Sequence, residues 1–112
     1  MSPLTLLHSW DTFLAKLKVT NDVSFILSSL AKRNIVGTLS CSWPEHQAIA
    51  SNPHINSEIV DILLSRHNEY GYLFATLLAN FDLEMPLIEK IAQANLAAYY
   101  EKVRQYKLSK TT

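Results

Sequence analysis

The chain is expected to fold as an all-α domain of five or six helices joined by short turns, packed as an irregular helical bundle or as a short helical-repeat stack. Three observations predict this. Apolar residues recur at helical spacing from end to end, whereas no polar/apolar alternation lasts beyond a few residues. Only two glycines are present, Gly37 and Gly71, with no Asn-Gly or Asp-Gly hairpin signal. Capping residues or prolines stand ahead of most of the apolar runs, where helices begin.

The elements follow in order. Ser2 can cap a first helix with Pro3 at its first position, where the missing N–H costs nothing. Leu4, Leu7, Leu14 and Leu17 share one face, widened by Trp10 and Phe13, and the helix should stop at Val19-Thr20. Thr20 or Asn21 is expected to cap the second helix, whose Val23, Ile26, Leu27 and Leu30 form an i, i+3, i+4, i+7 stripe. Lys32 and Arg33 should occupy its last turn, favoured by the helix dipole, with Asn34 closing it. Segment 35–43, IVGTLSCSW, reads as a turn or a single helical turn.

Pro44-Glu45 starts a short helix that must end before Pro53, because the residue preceding a proline is pushed out of the helical region. Asn56 reads as the cap of the next helix, with Ile59, Val60, Ile62 and Leu63 on its buried face. A further helix is expected over about 69–80, carrying Tyr70, Leu73, Phe74, Leu77 and Leu78. The last should run from near Pro86 toward Leu108. The domain is expected to span 1–108, with 109–112 as a flexible polar tail.

Composition narrows the function. Apolar residues make up 48% of the 112 residues and charged residues 18%, so a core is affordable and some apolar surface is left for a partner or a second copy. Ten basic and ten acidic residues cancel to a net charge of zero, which disfavours a protein that coats nucleic acid by neutralising phosphates. The N-terminus has no basic start and carries Asp11 within its apolar stretch, unlike a secretory signal. No apolar run approaches the roughly 20 residues needed to span a bilayer, so no membrane association and a cytoplasmic setting are expected. Cys41 is the single cysteine, so no internal disulfide is possible.

The chain echoes itself. AIASNPHINSEIVDILL (48–64) aligns with TLLANFDLEMPLIEKIA (76–92) at a shift of 28 residues. Asn52 falls on Asn80, Ile55 on Leu83, Ile59 on Leu87 and Leu63 on Ile91. Each copy reads as a helix end, an asparagine turn, an apolar residue plugging the corner, and a new amphipathic helix. Asparagine suits the turn because it tolerates the left-handed conformation and its side chain bonds nearby backbone.

Ala50-Ser51-Asn52-Pro53, followed by Glu58-Ile59 and Leu63, resembles the leucine-rich-repeat-variant units, relatives of the HEAT-like helical repeats. The resemblance covers about residues 48–92 and implies a short helical solenoid serving as a protein-binding scaffold. In the second copy Phe81 stands for the proline and Pro86 for the glutamate, and the spacing is longer than is usual for those repeats.

Chemistry finds little footing. Cys41, His46, His54 and His67 are separated by 5, 8 and 13 residues, which matches no compact metal-ligand spacing. Cys41 has no neighbouring cation in sequence to stabilise a thiolate. No Gly-x-Ser-x-Gly elbow and no glycine-rich phosphate loop occur. Glu58 and Asp61 sit near a helix start, where negative charge is favoured without any catalytic role. No catalytic residue, metal or cofactor is expected.

Two binding readings remain. Tyrosines 70, 72, 99, 100 and 106 cannot all face a core, since Tyr70 and Tyr72 are two residues apart and Tyr99 and Tyr100 adjacent. Exposed rings are the usual anchors of interfaces, so Tyr70, Tyr72, Tyr99, Tyr100, Arg104 and Tyr106 are the expected contacts of a protein partner or of a homodimer. The alternative is a nucleic-acid-binding regulator, using Lys90, Lys102, Arg104, Lys107 and Lys110 interleaved with the last tyrosines. The 26–40 stretch has a helix-turn-helix flavour, but VGTLSCSW offers no Arg, Lys, Asn or Gln to read bases. A non-enzymatic interaction module is the expected function.

Overall fold

The computed structural model describes residues 3–66 and 72–110; Ser2, His67, Tyr70, Gly71 and the side chains of Leu4 and Leu7 lie outside the described part. Six helices follow one another: α1 (Pro3–Val19), α2 (Val23–Leu30), α3 (Trp43–Ala50), α4 (Ser57–Ser65), α5 (Leu73–Leu78) and α6 (Met85–Lys110). No strand occurs among the described residues, and the fold is all-α as the spacing predicts. None of these helices is long and apolar enough to cross a membrane.

The caps explain most boundaries. Ser42 accepts from Glu45 N–H to start α3, with proline in its first turn, and Asn56 Oδ1 accepts from Ile59 N–H at 3.0 Å to start α4. At α2 the cap is Asp22, which accepts from Phe25 N–H, rather than Thr20 or Asn21. Thr20 instead accepts from Asp22 N–H and fixes the approach.

Two further expectations need correction. Lys32 and Arg33 do not lie in the last turn of α2, which ends at Leu30. The chain beyond it doubles back as a tight turn: Ser40 N–H donates to Lys32 O and Asn34 N–H to Thr38 O, both at 2.8 Å. Asn34 closes this turn, not the helix, its side-chain oxygen accepting from Val36 and Thr38 N–H. Gly37 supplies the left-handed residue it needs, at φ +85°.

The second correction concerns Asn52 and Asn80. No residue other than glycine has positive φ among the described residues, so neither asparagine acts by adopting the left-handed conformation. Both are buried, and their side-chain amides reach across to another helix end (below).

Helix α3 is the centre of the packing, lying against α1, α2, α4 and α5, while α6 packs on α4 and α5. The core gathers Leu17, Ile26, Leu30, Ile49, Ile59, Val60, Leu63, Leu73, Leu77 and Ile91, all at most 1% exposed. Ile55 and Leu83 are buried as corner plugs, as their place in polar loops predicts. The molecule is elongated, with extents of 58 × 34 × 24 Å. Helix α6 is responsible for much of that length: its 26 residues span roughly 39 Å, and Ile91 is its one buried residue. It also runs further than the expected Leu108, to Lys110.

Candidate interaction surface

The outer side of α6 exposes apolar and aromatic residues along the helix. At 100° per residue, Leu87, Ile91, Ala94 and Ala98 fall on the side turned toward the body, where Leu87 packs on the core and Ala94 and Ala98 are half-buried. The opposite side carries Met85, Glu89, Ala92, Leu96, Tyr99, Val103, Tyr106 and Lys110. All are exposed except Val103, which is half-buried. Tyr99 and Tyr100 are 61% and 63% exposed and lie ring to ring, centroids 6.0 Å apart. Lys110 stands over the Tyr106 ring at 5.3 Å.

The expected contact residues therefore separate into two places. Tyr99, Tyr100, Arg104 and Tyr106 share α6, where Arg104 pairs with Glu101 one turn back. That pairing, foremost its hydrogen bond, lowers the Glu101 carboxyl below its ordinary range and raises the guanidinium. Tyr72 is exposed at the start of α5, and its ring meets Trp43 of α3 with centroids 5.9 Å apart. Sequence reasoning missed Met85, Ala92 and Leu96 as members of the outer stripe. Their signal was the alternating step of four and three residues from Met85 to Lys110. It also missed the exposed apolar tip Ile35-Val36 and exposed Phe81.

A second candidate lies in the interior, between α2 and α3. Glu45 is only 2% exposed, yet its carboxylate accepts from Lys32 Nζ at 2.8 Å and from Ser29 Oγ at 3.1 Å. Burial pushes its carboxyl up, but the bonds from Lys32, Cys41 and Ser29 and the Lys32 charge outweigh that and hold it below the ordinary range. Cys41 moves the other way. Burial, joined by its hydrogen bond to Glu45 and that carboxylate's charge, pushes the thiol up to about 12. It is therefore a protonated thiol at neutral pH, the opposite of an activated nucleophile.

His46, fully buried beside them, has Nδ1 2.8 Å from Ser42 O and Nε2 2.9 Å from an Arg66 N–H. Arginine can only donate, so Nε2 accepts, Nδ1 donates and the ring is neutral. These groups lock α2, α3 and the end of α4 together. Among the described residues no three His, Cys, Asp or Glu side chains are grouped to hold a metal.

The grooves are shallower. One of about 460 Å³ between α1 and α3 is lined by Leu14, Trp43, Pro44 and Gln47, with Asp11 and Lys18 on α1. Another of about 710 Å³ lies between the two corner loops, rimmed by His54, Asp82, Glu84 and Lys90. The second groove also takes in Ser57, whose hydroxyl accepts from Lys90 Nζ at 3.0 Å.

No known family model matches this chain, and neither the curated proteins nor the solved structures hold a match to it.

Proposed function

We propose that this protein is a small non-enzymatic interaction module, an adaptor or regulator whose docking face is the outer side of α6, presented by a short HEAT-like stack. The observation that carries the reading is the length of α6 left uncovered. Beyond Ile91 nineteen residues continue as helix without one of them becoming buried, and they expose Leu96, Tyr99, Tyr100, Tyr106 and Leu108. A helix draws most of its stability from packing its apolar face, and exposed Tyr and Leu in a contiguous row are the anchors a partner would desolvate. The stack reading is supported by Asn52 and Asn80, which occupy corresponding places at the ends of α3 and α5 and make corresponding bonds.

The test is a capture comparison in the cells that make the protein. Wild-type protein is expected to retain specific proteins that the Leu96→Glu/Tyr99→Glu variant does not, while both give the same circular dichroism. Identical retention by the two would remove α6 as the docking face.

A further inference from the structure

Resting on that reading of α6, we infer that its outer face is covered by a second copy of this chain, in an antiparallel helix pair centred between Leu96 and Tyr99. The first support is the spacing. Met85, Glu89, Ala92, Leu96, Tyr99, Val103, Tyr106 and Lys110 step by four and three residues in strict alternation along the whole of α6. That mean period of about 3.5 is the seam of a helix pair, and it keeps one line of side chains in contact with a partner helix as the two wind about each other. The partner that fits this stripe is therefore another helix.

The second support is self-complementarity. Laid antiparallel in full register, the stripe pairs Met85 with Lys110, Glu89 with Tyr106, Ala92 with Val103 and Leu96 with Tyr99, and the two-fold axis repeats each pair. Small Ala92 meets Val103. The Glu89 carboxylate meets a phenol that can donate to it, and the Lys110 stem lies along Met85. No like charges face one another across the seam. A parallel pair would set Glu89 on Glu89 and Lys110 on Lys110 inside the contact, which is repulsive.

The third support is the distribution of charge. The projecting half of α6 is basic, with Lys102, Arg104, Lys107 and Lys110 against Glu101 alone. The half bound to the body follows the exposed Asp82 and Glu84 and carries the exposed Glu89 together with Lys90, which is engaged by Asp61 of α4. Antiparallel pairing lays each basic half along the half of the other copy that carries Glu89 and follows Asp82 and Glu84, and it covers the projecting half, which the body of its own chain does not. The neutral sum of the whole chain conceals this asymmetry.

The experiment uses the full chain with single cysteines, Ala92→Cys and Val103→Cys; native Cys41, 3% exposed, stays silent in the folded protein. Facing residues are within disulfide reach, whereas in this register a position and its own symmetry mate lie eleven residues apart along the axis, roughly 16 Å and out of reach. Light scattering of the wild-type protein is expected to give twice the chain mass. Under mild oxidation the mixed variants should cross-link and neither variant alone should.

A monomer at every concentration overturns the inference. Cross-linking of either single variant alone overturns it as well, because that reports a parallel pair. A dimer that persists in Leu96→Glu/Tyr99→Glu overturns it by placing the contact elsewhere. A monomeric wild-type protein whose α6-dependent capture of other proteins survives would sink the homodimer alone; a monomer without such capture would sink the docking face too.

Discussion

The side-chain amide of Asn80 donates to the backbone carbonyl of Asn52 at 2.9 Å and to that of Ala50 at 3.0 Å. Asn52 in turn donates to the carbonyls of Leu17 and Thr20, at 2.7 and 2.8 Å. The end of α5 is thus tied to the end of α3, and the end of α3 to the end of α1, by one repeated device. It satisfies carbonyls that a helix terminus leaves without an intrahelical partner. It also explains why two polar side chains can be buried at helix ends without penalty.

Asn80→Ala removes both donors and leaves two buried carbonyls short of a partner, so a loss of about 2–3 kcal/mol is expected in urea unfolding. Asn80→Asp keeps the size but replaces a donor with a negative acceptor facing two carbonyl oxygens, and it should be worse than alanine. The double variant Asn52→Ala/Asn80→Ala should cost less than the sum of the singles by about 0.5–1 kcal/mol, since the residues share one chain of bonds. An aspartate as stable as the wild type would show that shape, not donation, matters there.

Glu45 gives stability a definite dependence on pH. Its folded carboxyl is lowered, with burial opposed and outweighed by Lys32, Cys41 and Ser29. Its contribution is therefore complete above the ordinary carboxylate range and is lost as pH falls through the lowered folded value. Lys32→Met keeps the stem near the Phe13 ring but removes the cation from a carboxylate that is 2% exposed. Breaking a fully buried pair costs about 3–5 kcal/mol, and because Lys32 is itself 41% exposed about 2 kcal/mol is expected at neutral pH. Burial is then opposed only by the bonds from Cys41 and Ser29, so the midpoint of acid unfolding should move to higher pH. Thermal melts of both proteins from neutral to acidic pH read this out, and an unmoved acid midpoint would contradict it.

Gly37 sits at φ +85° with open space where a Cβ would be. Gly37→Ala should therefore pay only for the backbone conformation, about 1–2 kcal/mol, with no clash. Gly37→Asn, which visits this conformation more readily, should recover part of the loss. Chemical unfolding of the three proteins decides it, and an alanine variant as stable as wild type would mean that the turn flips at no cost.

The fold was legible from local signals because each helix carries its own stripe and most carry a cap. Ser42, Asn56, Ile55 and Leu83 do in space what their neighbours in sequence require of them. What escaped depends on partners distant in the chain. Lys32 looked like a helix-end cation because Glu45, thirteen residues away, was invisible to local reasoning. Asn52 and Asn80 were correctly placed at turns, but their amides reach partners 28 to 35 residues away. At the candidate surface the tyrosines were legible as a set too numerous to bury. Their division between the Trp43 contact of Tyr72 and the α6 stripe was not, because it depends on where α3 and α5 meet.

Nucleic-acid binding makes a separate quantitative demand. The projecting half of α6 supplies four cations, Lys102, Arg104, Lys107 and Lys110, and Arg104 is held by Glu101. If all four neutralised phosphates of a single strand, the logarithm of affinity would fall with that of salt with a slope of about −3; with Arg104 engaged, about −2. Stacking would have to supply the rest, from Tyr99, Tyr100 and Tyr106. In the antiparallel pair Tyr99 and Tyr106 are covered and the cations lie against carboxylates, so no binding of a labelled oligonucleotide is expected at physiological salt. Leu96→Glu/Tyr99→Glu, which frees the helix, should not create any. Fluorescence anisotropy across a salt series measures it: tight binding with a slope near −3 would mean that α6 is a nucleic-acid arm and that its outer face is not closed by a second copy.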